Sequence, residues 1–186
     1  MFAQLDTKSV YSFMDSVVDL TTYIKRAKEL GYQALGLMDR DNLYAAYHFA
    51  QYASSKGLRP LIGMEANLFY EGRKIPFRLL AKNNQGYKNL MKLATELSSG
   101  QREFTAFSDY LNAIALILPS EEWEPGMTLG SEVFIGIRPE DAGKEFDYPA
   151  IPLHTVRYFE NVDRSTIQML HAISQNVSLS EASIVL

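Results

Sequence analysis

Apolar positions along this chain change period several times, and each change marks an element. Ala34 to Met38 is a short continuous apolar run, too short for a helix and suited to a buried strand. Asp39, Arg40 and Asp41 interrupt it. Apolar residues then recur at three and four, at Leu43, Ala46, Tyr47, Ala50 and Ala53, which predicts a helix with Asp41 as its cap and Gly57 at its end. Leu61 and Ile62 restart a strand that runs through Glu65 to Phe69 and Tyr70. A strand, a crossover helix and a second strand in so few residues predict a parallel βαβ unit. Functional groups in such units sit at the carboxyl ends of the strands, here Asp39, Arg40 and Glu65.

The same reading extends to both sides. Met1 to Leu5 is expected as a first strand. A helix starting near Asp15 or Asp19 follows, with Leu20, Tyr23, Ile24, Ala27 and Leu30 on one face and Gly31 as its stop. Glu71-Gly72 is a turn, and Ile75 to Ala81 returns as a strand, which adds a hairpin to the parallel pattern. Tyr87 to Ser98 is helical, with Tyr87, Leu90, Met91, Ala94 and Leu97 on its stripe. Arg102 to Leu111 is assigned a short helix, Ala113 to Leu118 and Val133 to Ile137 buried strands, and Pro119 to Gly130 and Pro139 to Phe146 connections. Tyr148 to Leu153 is the last expected strand. Asn161 to Ser174 is a helix carrying Val162, Ile167, Leu170 and Ile173. Repeated strand–helix alternation with six or seven strands predicts an α/β fold: a distorted or incomplete barrel of mostly parallel strands with outer helices.

Composition narrows the picture. The chain has 186 residues, 47% hydrophobic and 22% charged, enough for one domain with a full core. A net charge of -4 does not support a general electrostatic grip on nucleic acid. The absence of cysteine excludes disulfides and thiolate metal sites, and fits a cytoplasmic location. Residues 1–20 show no signal-peptide pattern, and the apolar run Ala113 to Leu118 is far too short to span a bilayer. No Walker loop, GxGxxG, GxSxG or HExxH motif occurs. Of the three histidines, His48 and His171 fall within helices and read as surface or core residues. His154 sits at a strand end, where it could line a pocket.

Aligning the strand ends brings out a resemblance. The pattern is similar to the PHP domain that begins the alpha subunit of bacterial DNA polymerase III. That family opens with a segment such as FVHLHVHTEYSLLDG; here Phe2 to Ser16 reads FAQLDTKSVYSFMDS, with Phe2, Leu5, Tyr11, Ser12 and Asp15 in step. Its LVKRAKELGMPALALTDHGNL corresponds to YIKRAKELGYQALGLMDRDNL at Tyr23 to Leu43, and its GIKPIIGCE to GLRPLIGME at Gly57 to Glu65. Its LLAKNEEGYRNLMKL corresponds to LLAKNNQGYKNLMKL at Leu79 to Leu93, and its ATNDVHY to PLHTVRY at Pro152 to Tyr158. The likeness covers most of the chain and is weakest over Glu121 to Pro149.

The departures carry the functional expectation. The resemblance implies a metal-dependent phosphoesterase site in which histidines and carboxylates at the strand ends hold two or three ions and leave a position open for water. Here the His-x-His pair falls on Asp6 and Lys8, TDH becomes Met38-Asp39-Arg40, and NDVH becomes His154-Thr155-Val156-Arg157, while Asp15 and Glu65 keep their acidic type. A protonated lysine or arginine cannot ligate a metal. Asp6, Lys8, Asp15, Asp39, Arg40, Glu65, His154, Thr155 and Arg157 are therefore expected to form a vestigial metal-site pocket. In it, four acids face three bases, and the fixed cations replace the metals.

The resemblance further implies one PHP-like domain over residues 1–186, an N-terminal fragment of a longer DNA-directed DNA polymerase (a nucleotidyltransferase), without catalysis of its own. The expected partners are the other domains of that chain, with a proofreading exonuclease or other replisome subunits as candidates. DNA is reached only through the parent polymerase, and no membrane is involved. No cofactor is expected in this domain; magnesium is expected for the parent polymerase, and zinc or manganese only if the site is active. Two other readings remain: a phosphoesterase or 3'-5' exonuclease acting on DNA ends, and a free-standing small-molecule phosphatase, which the polymerase-like Leu79 to Leu93 disfavours.

Overall fold

The computed structural model describes residues 3–130 and 132–182; Met1 and Phe2 of the expected first strand lie outside them. The first strand is broken in two, β1 (Ala3–Gln4) and β2 (Asp6–Thr7). Then come α1 (Leu20–Glu29), β3 (Ala34–Leu37), α2 (Ala46–Ser55), β4 (Arg59–Tyr70), β5 (Arg73–Ala81) and α3 (Asn84–Ser98). A 3-10 turn at Phe104–Tyr110 leads to β6 (Ile114–Pro119), β7 (Val133–Ile137), β8 (Ala150–Pro152), β9 (Thr155–Val156) and α4 (Asn161–Gln175).

Seven strands form one sheet in the order β1-β3-β4-β5-β6-β7-β8, and β2 and β9 form a parallel pair. β5 runs against both neighbours, and the other pairings are parallel. The two edge strands of the large sheet lead directly into β2 and β9. Their pairing, Asp6 opposite Thr155 and Thr7 opposite Val156, draws the edges together at the carboxyl ends. The result is the distorted, incomplete barrel expected from the alternation. Closure requires a close approach at Leu5, where the chain steps from β1 to β2. A Cβ on Gly36 of β3 would lie 1.9 Å from the Leu5 carbonyl oxygen, so only glycine fits there.

Two apolar clusters flank the sheet. The larger joins β4, β5, β6 and β7 to α3 and the 3-10 turn, through Phe77, Leu79, Leu90, Leu93, Phe104 and Phe107. The smaller joins α1, α2 and β3 through Ile24, Leu35, Phe49 and Ala53. Asp19 caps α1, its carboxylate accepting the Thr22 N–H at 2.9 Å, and Asn83 caps α3 in the same way from Gln85 and Gly86.

Several expectations shift. α2 starts at Ala46 with no side-chain cap, because Asp41 accepts instead from the Asn67 N–H and from Arg102. Its buried face is Ala46, Phe49 and Ala53, so Tyr47 faces solvent. On α3 the buried face is Gly86, Asn89, Leu90, Leu93 and Leu97, which leaves Met91 exposed. Leu30 and Ile173 are also exposed, while Ile167 and Ala172 anchor α4; the expected role of Val162 lies outside the described side chains. Residues 104–110 form a 3-10 turn rather than an α-helix, with Phe104 and Phe107 buried at its three-residue period. The last strand shrinks to Ala150–Pro152, since Pro149 before it and Pro152 at its end lack N–H donors, and the chain pairs again at β9.

A candidate site of buried charge at the strand ends

The carboxyl ends of β2, β3 and β9 converge with the middle of β4, just past its parallel pairing with β3, on one side of the barrel. Glu65 and Arg157 both line the cleft of about 620 Å³ that opens there, as expected. At its base lies Lys8, one residue past β2 and fully buried. Its ammonium lies 2.9 Å from Asp6 Oδ1 and 2.9 Å from Glu65 Oε2, and donates to the Met38 carbonyl at 2.6 Å. Three N–H groups meet three oxygen acceptors, which completes the donor capacity of a lysine.

The remaining carboxylate oxygens are filled by arginines and a hydroxyl. Asp6 Oδ2 accepts from Arg78 Nε at 3.0 Å and from Thr155 Oγ1 at 2.7 Å. Arg78 Nη2 also lies 3.4 Å from Glu65 Oε2, and Arg40 Nε donates to Glu65 Oε1 at 2.9 Å. Arg40 reaches on to Asp15 Oδ2 at 2.8 Å. Asp15 Oδ1 accepts from Arg157 Nε at 3.1 Å and lies 3.2 Å from His171 Nε2 on α4. Asp39 stands apart from this chain of ion pairs. It accepts from the Ser9 N–H, the Ser9 hydroxyl and the Ser12 hydroxyl, each at 2.7 Å.

The electrostatics follow from burial and neighbours. Burial pushes the Asp6 carboxyl up, but the Lys8 and Arg78 charges outweigh it and hold the group below its ordinary value. Burial opposes Glu65 ionisation too, and Lys8, Arg78 and Arg40 together hold it well below the usual carboxylate range. Burial disfavours the Arg40 and Arg78 cations, yet their carboxylate partners raise both above the ordinary guanidinium value. Asp6, Glu65, Arg40 and Arg78 are thus each held in their charged form at neutral pH.

Of the residues expected to share a pocket, Asp6, Lys8, Asp15, Arg40, Glu65, Thr155 and Arg157 are joined by direct contacts. His154 lines the cleft at its exposed edge, and its carbonyl accepts from Gln4 Nε2 at 2.6 Å. Two corrections are needed. Asp39 is met by serine hydroxyls rather than a cation, because the loop after β2 folds Ser9 and Ser12 under the end of β3. And the bases number four, since Arg78 joins Lys8, Arg40 and Arg157. Arg78 escaped notice because β5 is antiparallel, so its contribution comes from mid-strand. A signal existed: the two-residue turn Glu71-Gly72 pairs Tyr70 with Arg73 and so places Arg78 opposite Glu65. His171, read as an ordinary helix residue, is brought to Asp15 by the packing of α4, which local sequence does not encode.

The fold and site define an α/β barrel domain with its polar chemistry gathered at the carboxyl ends of the strands. Residues 4–125 match the PHP domain family, and the chain belongs to that family. It is 44% identical over its whole length to DNA polymerase III subunit alpha of Streptococcus pyogenes serotype M1, and 32% identical over 127 residues, 65% of the chain, to that of Bacillus subtilis. The chain spans 18% of the streptococcal relative and 11% of the Bacillus one, so it corresponds to a small part of a much longer protein. Among solved structures it is similar to a putative metal-dependent phosphoesterase from Bifidobacterium adolescentis, at a TM-score of 0.49 and 11% identity, covering 94% of this chain and 84% of that one.

Metal ions are implied by the resemblance to active PHP domains, but the side chains present do not fit them. Ligand metals need carboxylate oxygens with free lone pairs at about 2.0–2.2 Å. Here the oxygens of Asp6 and Glu65 are taken by Lys8, Arg78, Arg40 and Thr155. Among the described residues, no group of three or more His, Cys, Asp or Glu side chains is arranged to hold a metal ion.

Proposed function

We propose that this chain is a non-catalytic PHP domain of a replicative DNA polymerase III alpha subunit. In this reading the vestigial metal site is a structural ion-pair network, and the domain supports the polymerase fold and its partners. One observation carries it: a fully buried lysine ammonium sits among Asp6, Glu65 and the Met38 carbonyl, where a hydrolase would need a metal and an activated water. Asp6, Asp15 and Glu65 are paired with Lys8, Arg40, Arg78 and Arg157, and Asp39 is held by Ser9 and Ser12, so the carboxylates are compensated by side chains without a metal.

The extent of the streptococcal relative makes the other domains of a polymerase chain the immediate partners, with a proofreading exonuclease or another replisome subunit as further candidates. A domain with this role works in the bacterial cytoplasm and reaches DNA through its parent chain. Magnesium belongs to the polymerase's own active site, whose carboxylates lie outside these residues. The test is hydrolysis of p-nitrophenyl phosphate and of labelled DNA 3' ends by the purified chain, with zinc, manganese or magnesium added. No turnover above the metal blank is expected. Metal-dependent hydrolysis that disappears in Glu65→Gln would establish the phosphoesterase or exonuclease reading instead.

A further inference from the structure

The contacts of Lys8 describe a coordination site as well as an ion pair. Asp6 Oδ1, Glu65 Oε2 and the Met38 carbonyl surround the ammonium nitrogen at 2.6–2.9 Å, a donor-to-acceptor spacing for N–H groups and longer than zinc–oxygen or magnesium–oxygen bonds. The stem of Lys8 is fully buried, so its removal leaves an enclosed space that ends on those three oxygens. Charge sets what could fill it. With Lys8 gone, Asp6 Oδ1 and Glu65 Oε2 lose the ammonium they share, while Arg40, Arg78 and Arg157 stay on the cluster. Arg78 stays on both Asp6 and Glu65, where it would repel a divalent ion.

We propose that Asp6, Glu65 and the Met38 carbonyl form a binding site for one primary ammonium ion, filled in this protein by its own Lys8, and that truncating Lys8 opens the site to small alkylammonium ions in preference to divalent metals. The inference deepens the structural reading above and rests on it for the role of the cluster. It also explains how a site of this kind can hold its fold without metal: the cation is part of the chain and cannot dissociate.

The experiment is thermal melting of the purified chain and of Lys8→Ala in ethylammonium, tetramethylammonium, sodium, magnesium and zinc chlorides at matched ionic strength. The Lys8→Ala midpoint is expected to fall by about 6–20 °C and to recover saturably with ethylammonium, which replaces most of the removed stem and its N–H donors. Tetramethylammonium, which has no N–H, should give only the sodium value, and the parent should not respond. Equal midpoints in ethylammonium and tetramethylammonium, or a larger recovery with zinc, would overturn the proposal. If Lys8→Ala is unfolded throughout, the series is repeated in trimethylamine N-oxide, which strengthens folding without supplying an N–H donor. The same order of midpoints is expected there, and equal values in ethylammonium and tetramethylammonium again overturn the proposal. Hydrolytic activity in the parent would remove the non-catalytic reading and leave ethylammonium binding intact, so the two failures are distinguishable.

Discussion

Asp39 and Glu65 lie just past the parallel pairing of β3 with β4, and both are 2% exposed, yet they are accommodated by opposite means. Asp39 takes three neutral donors from Ser9 and Ser12, all within one loop. Glu65 takes three cations, Lys8, Arg40 and Arg78, from three different elements. The first solution is local and ties the β2–α1 loop to β3. The second is global, since it links β2, β3, β4 and β5, and through Asp15 it reaches the β9 end and α4. Burying a carboxylate is tolerable either way, but only the cationic solution makes each partner depend on the charge of the others.

That contrast can be tested by removing donors from each side. The largest effect belongs to the cationic half. Lys8→Met keeps the buried stem volume and deletes the charge, leaving Asp6 and Glu65 short of a partner, so unfolding stability should fall by about 3–5 kcal/mol. Arg78→Met should fall in the same range, because it too serves both acids. On the neutral side, Ser12→Ala removes a donor to Asp39 and the acceptor for the Arg40 N–H, and should cost about 1.5–3 kcal/mol, read by urea unfolding at constant m-value.

Acid separates the halves further. Asp6 and Glu65 titrate below their unfolded values of about 3.9 and 4.3, so their contribution is fully present above that range. It is lost as pH falls through the depressed folded values, because the unfolded chain then binds protons more readily than the folded one. Stability of the parent should therefore be nearly level from pH 7 to 5 and decline below about pH 4.5. In Lys8→Met, burial acts on Glu65 with less opposition, and the decline should begin at higher pH. A superimposable acid limb in the two proteins would mean that Lys8 does not hold these carboxyls in their charged form.

The smallest effects grade the rim. The Arg40 side chain is 39% exposed, so Arg40→Met should cost more than the about 0–1 kcal/mol of a surface pair but less than the buried-pair range. Lys82→Ala, which breaks an exposed pair with Glu132, should stay within about 0–1 kcal/mol. Equal midpoints for Arg40→Met and Lys82→Ala would show that solvent screens the cleft mouth as fully as the outer surface.

Much of the fold was legible because its parallel strands are short apolar runs separated from the helices by polar or glycine breaks. Ala34 to Leu37, Ile114 to Leu118 and Val133 to Ile137 read directly as buried strands, and the charges after β3 and within β4 marked the side on which the site would form. What could not be read locally came from tertiary competition. Asp41 was free to cap α2 in sequence, but in space it answers Arg102 and Asn67. The stripes of α2 and α3 were rotated because Phe49 and Leu93 outcompete Tyr47 and Met91 for the core. Within the site, the residues at parallel strand ends were visible, whereas Arg78 required the hairpin register and His171 the docking of α4. Asp39 was expected among the charges of the site; it is buried beside them, and its serine partners lie in a loop whose path no periodicity announces.

The central claim is that the strand-end cluster is neutralised by its own side chains and serves stability. Its most direct test is elemental analysis of the purified chain, paired with its melting midpoint in strong chelator and in added zinc or manganese. The account predicts no stoichiometric metal and the same midpoint in all three conditions. Two or more tightly held ions per chain, together with a midpoint that drops in chelator and returns with metal, would contradict it.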